Sequence, residues 1–265
     1  MTALQPIVLM YHRICADHAW RESEFVVMTS VFRAQMRFLA SGNYYTPTMS
    51  EVLGWNGRVP RTGRTPVVIT FDDGYAETYE NALPVLRELG FCAAVFPVLD
   101  LSQRFNSWDS IPALRAPLLT PEDMREMEAA GIEFGSHTVT HPHLTRSTDA
   151  ELAVELSRSR EILGSIVARP LPVLAYPYGD VDQRVKAAVR EAGYSAALAV
   201  ASGPLELQAD PFEIRRQCVE NSASEAYMRL VLSGARKVFA WSKWKVRARL
   251  DAMRRPRADR RAGRA

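Results

Sequence analysis

Pro66-Val67-Val68-Ile69-Thr70-Phe71-Asp72-Asp73-Gly74-Tyr75 is an apolar run that ends in two adjacent carboxylates and a glycine. Val, Val, Ile, Thr and Phe in succession predict a strand buried on both faces, as in a parallel sheet. Asp72 and Asp73 then stand at its carboxyl end, the edge at which α/β folds bind ligands. Neighbouring strand residues point to opposite faces, but Gly74 can take backbone angles that other residues avoid, so the chain turns and both carboxylates reach one cavity. Such a pair can divide its labour, one member holding a metal and the other staying free as a base. The competing reading is turn chemistry alone, an Asp-Asp-Gly that caps the next helix.

Outward from this stretch, the chain has 265 residues and 47% apolar content. That is enough to bury a full core, and the length fits one α/β domain of the barrel size class. Cys15, Cys92 and Cys218 are widely spaced and odd in number, with no Cys-x-x-Cys pair, which points away from a disulfide framework or a zinc-thiolate site and towards a reducing compartment. No apolar segment approaches the roughly 20 residues that cross a bilayer. Met1 to Met10 carries no basic cluster ahead of an apolar run, so no signal peptide is expected. The net charge of +3 hides an asymmetry: from Arg236 onward there are twelve Lys or Arg against Asp251 and Asp259, a net of +10, which leaves the first 235 residues at 3 − 10 = −7. A basic tail of this kind binds anionic lipid or nucleic acid, or is simply solvated.

Strand and helix signals alternate along the chain. Ile7 to Tyr11 predicts a buried strand that delivers His12 and Arg13 to its end, and Thr29-Ser30 caps a helix that stops at Gly42. Tyr44 to Thr46 is strand-like, Thr48 caps a short helix from Met49 to Leu53, and Asn56 to Pro66 is a loop. After the opening strand, a helix is expected over Ala76 to Leu89 and a strand over Phe91 to Val98, then an irregular excursion from Leu101 to Leu119 over the mouth of the fold. Thr120-Pro121 starts a helix running to Gly131, and Ile132 to Ser136 is a strand ending at His137. The longest helix begins at Ser147 or Thr148, with Leu152, Leu156, Ile162 and Leu163 inward. A strand over Pro172 to Ala175, a helix over Asp182 to Ala192 and strands over Ser195 to Val200 and Ile214 to Val219 follow. Terminal helices are expected over Ser222 to Leu232 and Lys237 to Met253, and there is no internal repeat. The alternation implies right-handed crossovers and a largely parallel sheet, open or closed into a barrel.

Three strand ends carry unusual residues: Asp72-Asp73, His137-x-x-x-His141 and Tyr176-Pro177-Tyr178-Gly179. Two imidazoles and one carboxylate can bind zinc or a related ion and leave positions open for water and substrate. Pro142 disfavours a helix at His141, and no Glu follows His137 as a helical zinc-protease motif requires. The pair therefore belongs to a tight loop, where hydrogen-bonded histidines without a metal are the alternative.

Taken together, these residues resemble the polysaccharide deacetylases of carbohydrate esterase family 4, which share the NodB homology domain. Thr70-Phe71-Asp72-Asp73-Gly74 looks like the family's first motif, Ser136-His137-Thr138-Val139-Thr140-His141 like its second, and Ala175-Tyr176-Pro177-Tyr178-Gly179 like its third. The resemblance covers about Ile7 to Val219. It implies a single α/β domain over 1–235, a distorted (β/α) barrel of the NodB homology type; the charge pattern adds a basic, Trp-containing helix and disordered tail over 236–265. The resemblance implies hydrolysis of N-acetyl groups from amino sugars with a divalent metal, zinc first, with cobalt, nickel or iron(II) as alternatives. Asp73, His137 and His141 would hold the ion, Asp72 would be the general base, and the Tyr178 backbone N–H would face the oxyanion. Pro177 and Trp108 are the expected sugar contacts, Trp108 by stacking, with loop packing as its alternative.

Two departures from the family pattern stand out. Ala175 occupies the place of an arginine that family members pair with the catalytic aspartate, and Leu198-Ala199-Val200 puts valine where a late Leu-x-His supplies the general acid. Met10-Tyr11-His12-Arg13-Ile14 is similar to an early segment of the poly-N-acetylglucosamine deacetylase branch, which bears the acid at the start of the domain. In a closed barrel the first strand lies beside the last, so His12 can reach the same space. A leaving amine needs a proton, and imidazole donates one near neutral pH. Arg216 or Arg215 is the expected substitute for the missing arginine. A catalytically impaired sugar-binding relative is the competing function, whereas an aspartyl-phosphate enzyme would place its carboxylates two residues apart rather than adjacent. The expected partner is an N-acetylated amino-sugar glycan, with no nucleic acid. The expected location is cytoplasmic, with the tail and its Trp241 and Trp244 resting on anionic lipid at the inner membrane face near a lipid-linked precursor.

Overall fold

A computed structural model of the chain describes residues 6–16, 25–108, 115–200 and 210–233. The expected tail over 236–265, with Trp241 and Trp244, lies outside the described residues, as does Asp109 beside Trp108. The opening stretch is strand β5, Thr65–Asp73, buried along nearly its whole length. It pairs in parallel with β1, Ile7–Tyr11, on one side and β6, Ala94–Pro97, on the other, while β4, Tyr44–Tyr45, joins its first residues. β7, Glu133–Phe134, continues the sheet beyond β6.

Closure runs through single bridges. Ser136 joins Leu174 of β8, Val173–Ala175, which pairs with β9, Ala196–Leu198. Leu198 then bridges Ile214, and three residues on, Gln217–Cys218 forms β10 against β1. β1, β5, β6, β7, β8, β9 and β10 thus form a ring of seven parallel strands. This is the distorted (β/α) barrel that the family resemblance implied and that the alternation left open, and His12, which follows β1, is brought alongside the last strand.

Period-two alternation sorts the strand side chains into an interior core and an outer layer of two clusters. Val8, Val68, Phe96, Val173, Ala175, Leu198 and Ile214 fill the interior, where Met49 and Val52 of helix α2 (Met49–Gly54) also pack. A contact from the Met49 N–H to the Glu133 carboxylate at 2.6 Å fixes α2 to the start of β7. Leu9, Tyr11, Val67, Ile69, Phe71 and Val95 face outward against helices that include α1 (Thr29–Ser41) and α3 (Leu83–Leu89). Leu174, Tyr176 and Ala197 pack against α5 (Asp149–Ile166) and α6 (Gln183–Glu191). α4 (Pro121–Ala129) and α7 (Glu225–Leu232) complete the described outer layer.

Several boundaries differ from expectation. The strand expected over Phe91 to Val98 starts only at Ala94, because the Phe91 N–H closes α3 on Leu86 O and the Cys92 N–H goes to the Thr46 hydroxyl. The helix expected over Ala76 to Leu89 contains a π-turn, Thr78–Ala82. α1 begins at Thr29 without a side-chain cap, so Thr29-Ser30 does not cap it; the N–H of the preceding Met28 goes to the Asn221 side chain. In α5, Ser159 is buried against the Tyr194 hydroxyl while Ile162 is half-buried. The sequence reading missed β2, Arg13–Cys15, and β3, Val26–Met28, a small parallel pair beside the barrel mouth.

Candidate active site

Asp72 continues the inward-facing set of Val68 and Thr70. Its partner comes from the strand that closes the ring. Arg216, fully buried, donates from both terminal nitrogens to the two Asp72 oxygens, each at 2.6 Å, and also reaches Thr70 Oγ1 and Ala199 O at 3.2 Å. The guanidinium thus arrives two strands further round the barrel than Ala175. Burial works to raise the Asp72 carboxyl, but Arg216, with His137 and His12 adding to it, holds it below the ordinary value, so the group is ionised.

By alternation Asp73 would point away from Asp72. It does not, because Asp73 itself has φ 70° and Gly74 has φ 77°, so the turn begins one residue earlier than the glycine alone suggests. A Cβ at Gly74 would stand 2.6 Å from Pro97 Cβ, so the turn also needs glycine's missing side chain. Asp73 Oδ1 lies 3.3 Å from His137 Nε2 and 3.5 Å from His141 Nε2. Burial works against its ionised form, but the two imidazoles and His12 more than offset that and hold it far below the carboxylate range.

The loop between the histidines is pinned from outside. Glu155 of α5 accepts the N–H groups of Val139 and Thr140, at 2.8 and 3.0 Å, and the Thr140 hydroxyl at 2.7 Å. Nδ1 of His137 is 2.8 Å from Ala175 O, which sets that nitrogen as the donor and leaves Nε2 with its lone pair facing Asp73. Burial lowers the affinity of His137 for a proton, but the two aspartates outweigh it and the net direction is up. Burial, reinforced by His137, pushes His141 down to about 3. Among the described residues, Asn56, Asp73, Thr138, His141 and Tyr178 are the non-glycine positions with positive φ. All except Asn56 belong to this cluster, as expected where geometry is imposed by function.

Asp73, His137 and His141 each offer one donor atom, all within 4.8 Å of one another. Asp73 Oδ1 is buried and accepts no hydrogen bond. An orphaned carboxylate oxygen in a dry site is costly, roughly 1–3 kcal/mol or more, unless something cationic takes it. The donor set of two nitrogens and one oxygen therefore fits a divalent metal of the zinc type.

The remaining expected residues lie around this group. His12 is half-buried, packs on Phe25 with ring centres 4.7 Å apart, and acts electrostatically on Asp72, Asp73 and His141. The Arg13 side chain that follows it forms a two-bond fork with Glu77 at 2.7 and 2.8 Å, a contact for which the sequence carried no signal. Tyr178, in a 3₁₀ turn over Pro177–Gly179, has φ 58° and its ring meets His141 edge-on at 4.4 Å. Pro177 is buried at the head of that turn. Val200 abuts Gly179, where an added Cβ would come within 2.6 Å of Val200 Cγ2. Trp108 lays its ring on His141, 4.9 Å away and inclined by 27°. Arg215, the other arginine named beside Arg216, is exposed.

Comparison with known proteins gives a consistent answer. The polysaccharide deacetylase family model matches residues 60–197. YxkH of Bacillus subtilis, named for the same family, is 27% identical over 197 residues, which cover 74% of this chain and 64% of that protein, so the match spans less than two thirds of its length. A poly-beta-1,6-N-acetyl-D-glucosamine N-deacetylase of Staphylococcus aureus is 23% identical over 214 residues, 76% of this chain and 70% of that one. Among solved structures, the deacetylase PplD of Streptococcus pyogenes, in complex with acetate, superposes with a TM-score of 0.76 at 21% identity, covering 87% of this chain and 99% of that one. The fold, the order of the three strand-end motifs and the matched segment agree, and the chain belongs to the polysaccharide deacetylase family.

Proposed function

We propose that the protein is a metal-dependent hydrolase that removes N-acetyl groups from an amino sugar in a polysaccharide or lipid-linked glycan precursor. The observation that carries this reading is the buried, unpartnered Asp73 Oδ1 between two imidazole nitrogens, with an ionised and separately paired carboxylate as its neighbour. Asp73, His137 and His141 would hold the ion, with zinc the best match to the donors and cobalt, nickel or iron(II) as alternatives. When bound, the ion would acidify water and draw charge from the amide oxygen.

The protein's own groups do the rest. Asp72, kept ionised by Arg216, accepts the proton of the attacking water. The Tyr178 N–H, presented by a left-handed residue, faces the oxygen on which charge develops. His12 donates a proton to the departing amine, so that the C–N bond breaks to acetate and a free amino sugar. Pro177, at the head of the Tyr178 turn, is the proposed sugar contact. The Staphylococcus aureus relative, named for poly-beta-1,6-N-acetyl-D-glucosamine, supports a glycan of acetylated amino sugars as the substrate class.

The test is metal analysis of the purified chain together with acetate release from a panel of N-acetylated amino-sugar conjugates. Activity that is lost on chelation and restored by zinc is the expected result. Sugar binding with no acetate released from any conjugate would instead identify a catalytically impaired relative.

A further inference from the structure

The two histidines of the candidate metal site are held in different ways. His137 is aimed by a hydrogen bond from its second ring nitrogen to Ala175 O, the usual arrangement for a ligating histidine. Nδ1 of His141 is buried and has no hydrogen-bond partner. Its backbone is left-handed, at φ 59°, and is anchored through its N–H to the Thr138 hydroxyl at 3.1 Å. That fixes the main chain and leaves rotation of the ring to be set by something else.

What surrounds the ring is a column of aromatic groups. Trp108 lies nearly parallel to His141 with centres 4.9 Å apart, and Tyr178 meets it edge-on at 4.4 Å. Tyr178 in turn stacks on His143 at 4.0 Å and 18°. His143 Nδ1 faces Asp180 Oδ2 at 3.4 Å, and the same oxygen accepts the Thr145 hydroxyl at 2.6 Å. The column is therefore tied at its far end to polar groups of the 3₁₀ segment Leu144–Arg146 and the turn after Gly179.

We propose that the column Trp108, His141, Tyr178 and His143 orients His141 in place of the missing hydrogen bond, and that Trp108 is a positioning residue that sets how tightly the site holds a divalent cation. This rests on the metal reading above. A ring without a directing hydrogen bond can turn about its last torsion, and each misdirected orientation takes the Nε2 lone pair off the ion. Offset stacking against a large fixed ring removes those orientations. One face of the indole is committed to this task.

The experiment uses the full chain, stripped with a chelator and titrated with Zn²⁺ in competition with a chromophoric chelator. The parent is compared with Trp108→Phe, Trp108→Leu and Trp108→Ala, and melting of the metal-free forms is followed alongside. W108A and W108L are expected to bind Zn²⁺ at least about tenfold more weakly, with W108F recovering most of the loss and metal-free melting unchanged. W108L binding as tightly as W108F would make bulk rather than stacking the cause and would overturn the inference. W108A that keeps the parent's Zn²⁺ affinity while KM for an acetylated glycan rises would do the same, by making Trp108 a sugar platform. A parent chain that binds no Zn²⁺ overturns the metal reading itself, a result distinct from either.

Discussion

Asp72 has two properties that oppose each other. A carboxylate with both oxygens accepting from one guanidinium is reliably ionised but is weakened as a base, because Arg216 favours the charged form. What keeps the arrangement serviceable is that each oxygen retains a second lone pair for an incoming water. The pair is also buried, so removing one partner leaves an uncompensated charge. Arg216→Met is expected to cost about 3–5 kcal/mol of stability, measured by urea unfolding, and to abolish acetate release. Arg216→Lys keeps the charge but not the fork, and should fall between the two in both measurements. At Asp73 the expectation is different in kind. Excess zinc should raise the melting temperature of the parent, since ligand at about 100 times Kd contributes about 2.7 kcal/mol, and should leave Asp73→Asn unmoved. The positions of Asp72, Asp73 and His137 were legible in the sequence because each lies at the end of a strand signal, and His141 because it shares the loop that His137 opens. The choice between Arg216 and Arg215 was not, because the pairing spans 144 residues and depends on which way one short strand faces. Only the alternation starting at the buried Ile214 settles it, placing Arg216 inward and leaving Arg215 exposed.

Among the elements, helix starts were the most readable features. Thr48, Thr120 and Thr148 each form a capping box with the acidic residue three positions on, Glu51, Asp123 and Glu151. The π-turn at Thr78–Ala82 and the β2–β3 pair were unreadable because each is held by contacts remote in sequence. Asn81 Nδ2 donates to Ile14 O at 2.7 Å, and Arg13 forks onto Glu77 across 64 residues. The Arg13–Glu77 pair is mostly buried, so Arg13→Met or Glu77→Leu alone should each cost about 3 kcal/mol. The double variant Arg13→Met, Glu77→Leu should recover most of that, a sign of coupling visible in a double-mutant cycle. A second ion-paired joint, Lys186 of α6 with Asp210 and Glu213, predicts a pH effect. Burial works to raise Asp210, but Lys186 and the Phe212 N–H outweigh it and the folded-state value is lowered. The folded form therefore binds that proton less readily than the unfolded chain. The stabilisation is full above the ordinary aspartate value, about 3.9, and is lost as pH falls through the lowered one. With the Asp210 side chain 36% exposed, the effect should stay below about 1 kcal/mol. Melting of Asp210→Asn should accordingly trail the parent at pH 6, and the gap should close as pH falls below the ordinary aspartate value.

For the molecule as a whole, strand and helix alternation made a parallel α/β architecture readable but left open sheet and closed barrel undecided. What decides it is not a strand pattern at all: Ser136 to Leu174 and Leu198 to Ile214 are single bridges, too short to leave a periodic trace. In the closed ring His12 and Arg216, far apart in the chain, both come to act on the Asp72 carboxylate. The charge distribution poses a separate whole-molecule question. Twelve cationic residues against two aspartates after Arg236 follow a body of net −7, so any attraction to an anionic surface must come from that end. Each Lys or Arg near such a surface is worth about 1 kcal/mol at low salt and loses most of it beyond a Debye length, about 10 Å at 0.1 M. We expect the full-length protein to co-sediment with vesicles containing anionic lipid in low salt, to be released as salt rises, and to ignore neutral vesicles. A chain ending at Gly234, which keeps every strand and helix described above, should stay in the supernatant throughout. Equal sedimentation of the two chains would show that the acidic body, not the basic segment, meets the lipid, and would remove the reason for placing the substrate at a membrane face.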